Sequence, residues 1–238
     1  MNAQEMYQAG QLSDAIASLS AELRTNPGDA GRRTFLFELL CFAGAYDRAE
    51  RQLDVIGGDG REAEMGALLY RSALHAERRR SQMFERADFP TGASESRAVS
   101  GTLNGRRFSS LTDADPRIGA RLELFVAGQY TWLPLEHVAS LTARPPQRLR
   151  DLLWIPAHVT PAPQLVGLEL GEVLLPALTP LAWRHPDTDV QLGRVTDWQR
   201  LDSGVEAPAG QKLLLVDGEE VPILEVRELE IAAPPAVS

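Results

Sequence analysis

Ala9-Gly10-Gln11-Leu12, followed by Ala15 and Leu19, returns as Ala43-Gly44-Ala45-Tyr46, followed by Ala49 and Leu53. Gly44 follows Gly10 by 34 residues, the period of a two-helix unit that stacks on copies of itself. A glycine suits the sharp turn between the two helices, because the turn needs a position without a Cβ. The alanines that follow let the paired helices approach closely. Pro27, after Asn26, ends the first unit, since proline cannot continue a helix interior. Ile16, Leu19 and Leu23 keep helical spacing after Leu12, and Asp29 is placed to cap the next helix. That helix carries the apolar run Phe35-Leu36-Phe37-Glu38-Leu39-Leu40-Cys41-Phe42, and Ala49, Leu53 and Ile56 give its partner an apolar stripe. Gly57-Gly58-Asp59-Gly60 breaks the stripe. A longer helix is expected from Arg61 to Arg86, with Met65, Leu68, Leu69, Ala73 and Ala76 as its buried face. It lacks a third glycine signature and reads as a cap over a two-repeat stack.

The period and its glycine turns predict a tetratricopeptide-like helical domain over residues 1–89. Residues 90–105 are rich in Ser, Thr, Gly and Arg and read as a linker. Beyond it the apolar period changes to that of strands. Arg121-Leu122-Glu123-Leu124-Phe125-Val126 and Tyr130-Thr131-Trp132-Leu133 form an expected hairpin around Gly128. Further strands are expected at Val138 to Thr142, Leu152 to Ile155, Glu172 to Leu175, Lys212 to Val216 and Val221 to Ile231. The last two flank the loop Asp217-Gly218-Glu219-Glu220. Most prolines fall in this half and favour short strands and edges. The expected fold is α+β: helical repeats, a linker, and a compact β-rich domain over 106–238.

The chain has 238 residues and a formal net charge of −9. Residues 1–90 carry 11 Arg against 14 Asp and Glu, and the remainder 13 basic against 19 acidic residues. Neither half is basic, which argues against nucleic acid or an anionic membrane as the main partner. No apolar run is long enough for membrane insertion. Met1-Asn2-Ala3-Gln4-Glu5 lacks the order of a signal peptide, so a cytoplasmic location is expected. The single cysteine, Cys41, cannot form an internal disulfide and reads as a small buried hydrophobe.

Chemistry is sparsely marked. His75, His137, His158 and His185 lack the close spacing of a zinc motif, and Cys41 has no cysteine partner. Glu136, Asp151, Glu172 and Asp197, with His137 or His158, are the residues a hydrolase would use, but such residues occur in any acidic protein. There is no G-x-S-x-G elbow, no phosphate-binding glycine loop, and one lysine, Lys212. No catalytic, cofactor or metal residue is therefore assigned, no cofactor is expected, and the binding surface stays open. Arg78-Arg79-Arg80 reads as a solvated helix face. Trp132, Trp154, Trp183 and Trp198 all lie in the second half, with Trp154 expected in the core.

The order of several blocks resembles the ImpE family, also called TagJ or SciE-type proteins. The blocks are Gly128-Gln129-Tyr130-Thr131-Trp132-Leu133-Pro134-Leu135-Glu136-His137, then Arg150-Asp151-Leu152-Leu153-Trp154-Ile155-Pro156-Ala157 and Gly171-Glu172-Val173-Leu174-Leu175-Pro176. Leu192-Gly193-Arg194-Val195-Thr196-Asp197-Trp198 and the stretch from Gly210-Gln211 to Glu230 continue the order. Upstream, Asn26-Pro27-Gly28-Asp29, Phe35-Leu36-Phe37-Glu38-Leu39-Leu40 and Asp47-Arg48-Ala49-Glu50 also fit. The resemblance implies a non-enzymatic, cytoplasmic accessory protein of bacterial type VI secretion. It implies binding to the N-terminal segment of the small sheath subunit and, indirectly, a connection to the ClpV ATPase. The other readings of the residues are a hydrolase or metal-dependent enzyme in the β-rich domain, and a general tetratricopeptide module that binds peptides.

Overall fold

The computed structural model describes residues 1–90, 98–165 and 167–232. Four helices build the two repeats: α1 (Ala3–Gln8), α2 (Leu12–Thr25), α3 (Ala30–Phe42) and α4 (Tyr46–Ile56). The two glycine turns repeat bond for bond. Gly10 N–H donates to Tyr7 and Gln11 N–H to Met6, and 34 residues later Gly44 N–H donates to Cys41 and Ala45 N–H to Leu40. This is the Schellman closure, which needs a left-handed residue after the helix; Gly10 and Gly44 supply φ of +74° and +65°. Asp29 caps α3, its carboxylate accepting from the Arg32 N–H.

The long helix α5 (Arg61–Arg86) follows as expected, but its buried face differs from the sequence reading. Ala73 and Ala76 are buried, whereas Met65, Leu68 and Leu69 are 66%, 63% and 58% exposed. The buried stripe runs instead through Ala67, Leu74, Glu77, Arg80, Ser81 and Phe84. Leu74, Glu77, Ser81 and Phe84 recur at steps of three or four, Arg80 lies three after Glu77 and Ala67 seven before Leu74, so they share one helix face. The choice is made by what α5 packs on. Its C-terminal half lies between α4 and β5 (Gln129–Pro134), which admits small residues and paired charges, while Met65, Leu68 and Leu69 of its N-terminal half stay exposed.

The second half is built on an eight-stranded antiparallel sheet in the order β2-β1-β13-β6-β7-β8-β4-β5. Its strands are β1 (Gly101–Leu103), β2 (Arg106–Phe108), β4 (Arg121–Val126), β5, β6 (Val138–Ala143), β7 (Trp154–Pro161), β8 (Gly171–Pro176) and β13 (Glu228–Ile231). A three-stranded sheet holds β3 (Leu111–Asp113), β11 (Leu213–Val216) and β12 (Glu219–Pro222), and β9 (Thr196–Arg200) pairs with β10 (Glu206–Gly210) as a ribbon. Three hairpins use two-residue turns with positive φ at both positions: Asn104–Gly105, Ala127–Gly128 and Asp217–Gly218. Such turns match the right-handed twist of the strands they join.

Several expected boundaries move. In the expected linker 90–105, residues 91–97 lie outside the described residues, while Gly101–Leu103 is already strand and Asn104–Gly105 its turn. Leu149–Leu152 forms a 3-10 turn before β7, so Leu152 is not strand. Glu219 and Glu220 belong to β12, and the expected strand from Val221 to Ile231 is broken by a 3-10 turn at Ile223–Glu225. The strands β9 and β10 carry too little apolar alternation to be read.

Helices and sheet share a core. One apolar cluster joins Phe37, Leu40, Phe42, Leu53 and Leu74 of the helices to Phe125, Leu153, Trp154 and Leu192; Trp154 is in the core, as its sequence context indicates. A second cluster lies within the β-rich half around Leu124, Leu135, Ile155 and Leu229.

Candidate functional site

The seam between α5 and the sheet positions the site, and a buried ion cluster holds it. Arg80 is fully buried and not part of a solvated face. Its Nε and Nη2 donate to Glu123 Oε1 and Oε2 at 2.8 and 3.0 Å, Nη2 also donates to the Leu178 carbonyl, and Nη1 lies 3.2 Å from Glu77. Lys212, buried just before β11, pairs with both Glu123 and Asp113. Burial alone would raise the Glu123 pKa, but the Arg80 and Lys212 charges win and hold its carboxyl well below the usual carboxylate range. Burial tends to lower the Lys212 pKa, and Asp113 and Glu123 more than reverse that. The only lysine is thus a charged tie between sheets and not an amine available for covalent chemistry. Arg78 differs again: it ion-pairs with Asp47 and Glu50 of α4.

Two docking contacts fix the repeats to the second half at their glycine turns. A Cβ built on Gly44 would stand 2.6 Å from Trp183 Cγ, and one on Gly10 would stand 3.3 Å from Asp189 Oδ1. Arg194 ties the Gly10 end further, donating to the Tyr7 carbonyl at 2.6 Å and lying over the Tyr7 ring.

Two adjoining concavities open along this seam. The first, about 270 Å³, lies between α5 and the sheet over Leu69, Tyr70, Ala73, Phe125, Trp154 and Leu174. The second, about 670 Å³, continues over β6, β7 and the 3-10 turn Leu149–Leu152, with Arg144, Arg148, Arg150, Arg227 and His158 among its charged or titratable lining and Asp151, Glu172 and Glu228 as its carboxylates. Arg150, Asp151, Pro156 and Glu172 line both, so the two form one groove that is apolar at the α5 end and polar at the other. Leu69 lines the apolar end, and Met65, one helical turn before it on α5, is exposed. Arg150 is fixed by the Tyr70 hydroxyl and ring and by Asp151 at 3.5 Å. Arg144 and Arg148 are exposed and make no ion pair among the described residues. Beneath the turn, Glu38 of α3 is 8% exposed. Burial pushes its carboxyl up to about 7, with the nearby Arg150 opposing.

The acid and base candidates from the sequence are only partly brought together. His158 and Glu172 face each other across β7 and β8 within the groove. Asp151 is nearby, but its Oδ2 accepts the N–H groups of Gln147 and Arg148 at 2.9 and 3.0 Å and so closes the turn. Asp197 is 3.2 Å from His185 on another surface, and His185 Nδ1 accepts the Asp187 N–H. Glu136 and His137 form the 3-10 turn after β5, and His75 is exposed on α5. Among the described residues no three His, Cys, Asp or Glu side chains converge as metal ligands, and no helix is long and apolar enough to cross a membrane. The groove has one local signal in the sequence, Leu69, whose spacing with Met65 and Leu68 predicts a buried helix face that the structure leaves exposed.

The comparisons agree with this architecture. A tetratricopeptide repeat model matches residues 6–71. The fold is also that of the crystal structure of protein VPA1032 from Vibrio parahaemolyticus, with a TM-score of 0.81 and 23% identity over 98% of both chains. The type VI secretion system accessory component TagJ of Pseudomonas aeruginosa is 34% identical, covering 97% of this chain and 91% of that protein. The family model described as ImpE protein matches residues 105–230, and with that match and the relationship to TagJ the chain belongs to the ImpE family.

Proposed function

We propose that this chain is a non-enzymatic accessory protein of a bacterial type VI secretion system. In this reading it works in the cytoplasm as an adaptor, binds the N-terminal segment of the small sheath subunit, and links the sheath to handling by the ClpV ATPase. The observation that carries the reading is the 34% identity to TagJ across 97% of the chain. Helical repeats joined to a sheet with an open groove suit a protein that holds a segment of another chain. The enzyme alternative has less behind it, because Asp151 is committed to closing a turn and Lys212 and Glu123 to a buried ion cluster.

Affinity capture tests the adaptor. The immobilised full-length chain should retain the purified sheath subunits and lose them when the small subunit lacks its N-terminal segment. Equal retention of the truncated form would remove that segment as the partner, and no retention of either form would overturn the adaptor reading.

A further inference from the structure

We infer that an arginine strip across α4 and the C-terminal half of α5 is a second docking surface, fitted to a protein partner that presents clustered Asp and Glu side chains. The inference rests on the adaptor reading, in which the chain links the sheath to an ATPase, and adds where that second protein sits and what chemistry it shows. Two adjoining concavities, of about 570 and 250 Å³, meet at Gln82 of α5. Arg48, Arg51 and Arg78 line the first, and Arg79 and Arg86 the second. Arg48 and Arg51 stand three residues apart on α4, and Arg79, Gln82 and Arg86 follow at steps of three and four on α5, so each set shares one helix face. None of the residues lining these concavities lines the groove between α5 and the sheet. The two surfaces are thus separate, as an adaptor that holds two proteins requires.

Charge selects the partner. Arg48, Arg51, Arg79 and Arg86 are exposed and make no ion pair among the described residues. The carboxylates that border the strip are mostly committed: Asp47 and Glu50 lie 2.8 and 2.7 Å from Arg78, and Glu85 pairs with Arg184. Asp88 is the one lining carboxylate without an ion pair among the described residues. Four unmatched arginines against one unmatched carboxylate leave a local positive excess on a chain of formal net charge −9, and such a patch steers and orients an acidic partner. Arg79 is therefore the member of the run Arg78-Arg79-Arg80 left for an external contact, since Arg78 is matched by α4 and Arg80 by Glu123. The rest of the lining favours a protein over nucleic acid. Asp47, Glu85 and Asp88 oppose a continuous phosphate backbone, whereas Met83 and Trp183 lie partly exposed beside the arginines, and Arg, Met and Trp are the side chains enriched at protein interfaces.

The test uses the full-length chain, purified sheath subunits and the purified ClpV ATPase. Binding is followed by fluorescence anisotropy of the labelled chain, with circular dichroism and thermal unfolding as controls for folding. All four arginines are exposed, so Arg48→Glu with Arg51→Glu, and Arg79→Glu with Arg86→Glu, should fold normally. Each pair should weaken binding of the ATPase at least tenfold at 0.1 M salt and alter binding of the sheath subunits less than threefold. Arg79→Lys with Arg86→Lys keeps the charge and should stay within threefold of the parent. Arg106→Glu with Arg107→Glu, the same charge reversal on the edge strand β2, should also stay within threefold. For the parent, contraction of the Debye length from about 10 Å at 0.1 M salt to about 3 Å at 1 M should weaken ATPase binding at least tenfold. ATPase binding that survives both reversals would overturn the strip and leave the adaptor intact. A parent that binds the sheath subunits but not the ATPase would overturn this inference and leave the sheath contact standing, and binding of neither would overturn the adaptor as well. A short labelled DNA duplex bound by the parent and lost in both reversals, with ATPase binding unchanged, would assign the strip to nucleic acid and also overturn the inference.

Discussion

Arg80 of α5 and Glu123 of β4 meet in a two-point ion pair, 2.8 and 3.0 Å, with both side chains essentially sealed from solvent. Each charge is tolerable there only because the other is present, with Lys212 and the Tyr130 hydroxyl completing the shell of Glu123. Removing one member of a buried pair strands the other, at a cost of about 3–5 kcal/mol. Arg80→Met should therefore lower unfolding stability by that order in denaturant titration. A loss below about 1 kcal/mol would show that the pair is not what holds α5 to the sheet.

Gly44 should respond to Trp183 more than to its own helix. At φ +65° a side chain is strained by itself, and a Cβ would overlap the indole. Gly44→Val should cost more than the 1–3 kcal/mol of backbone strain, and the second substitution Trp183→Ala should recover part of the loss. Purely additive effects in the double-mutant cycle would exclude the contact as its cause.

Glu38 sets a pH dependence. Its folded pKa of about 7 lies above the ordinary 4.5, so the folded state holds the proton more tightly than the unfolded chain. The stability it contributes is complete below pH 4.5 and is lost as the pH rises through 7. Glu38→Gln stays neutral, so its stability relative to the parent should increase between pH 5 and pH 8.5, by on the order of 2 kcal/mol. Urea titrations of both proteins at the two pH values measure this. A relative stability that falls with pH would mean that the Arg150 charge outweighs burial.

The local features were the most legible. The turns at Gly10 and Gly44 close through bonds that reach no further than five residues, and the hairpin at Gly128 is written in its own turn and flanking alternation. Asn104–Gly105 carries an equally strong turn signal, but the polar composition around it is also that of a linker. The β9–β10 ribbon was invisible because Thr196-Asp197-Trp198-Gln199-Arg200 has no buried residue to set an alternating pattern.

By itself, then, the sequence determined the repeat period, the glycine turns, the α+β order and the extent of α5, because each depends on backbone preferences and neighbours close along the chain. Only the tertiary structure decided which face of α5 is buried. Amphipathic spacing shows that Met65, Leu68 and Leu69 share a region of the helix; whether that region meets a core depends on surfaces contributed by α4 and β5. The same holds for Arg80 and Lys212, whose type predicts solvent and whose burial depends on carboxylates 43 and 89 residues away. The groove exists because α5, β4, β7, β8 and the turn at Leu149–Leu152 converge there, and convergence of distant segments has no signature in any one of them.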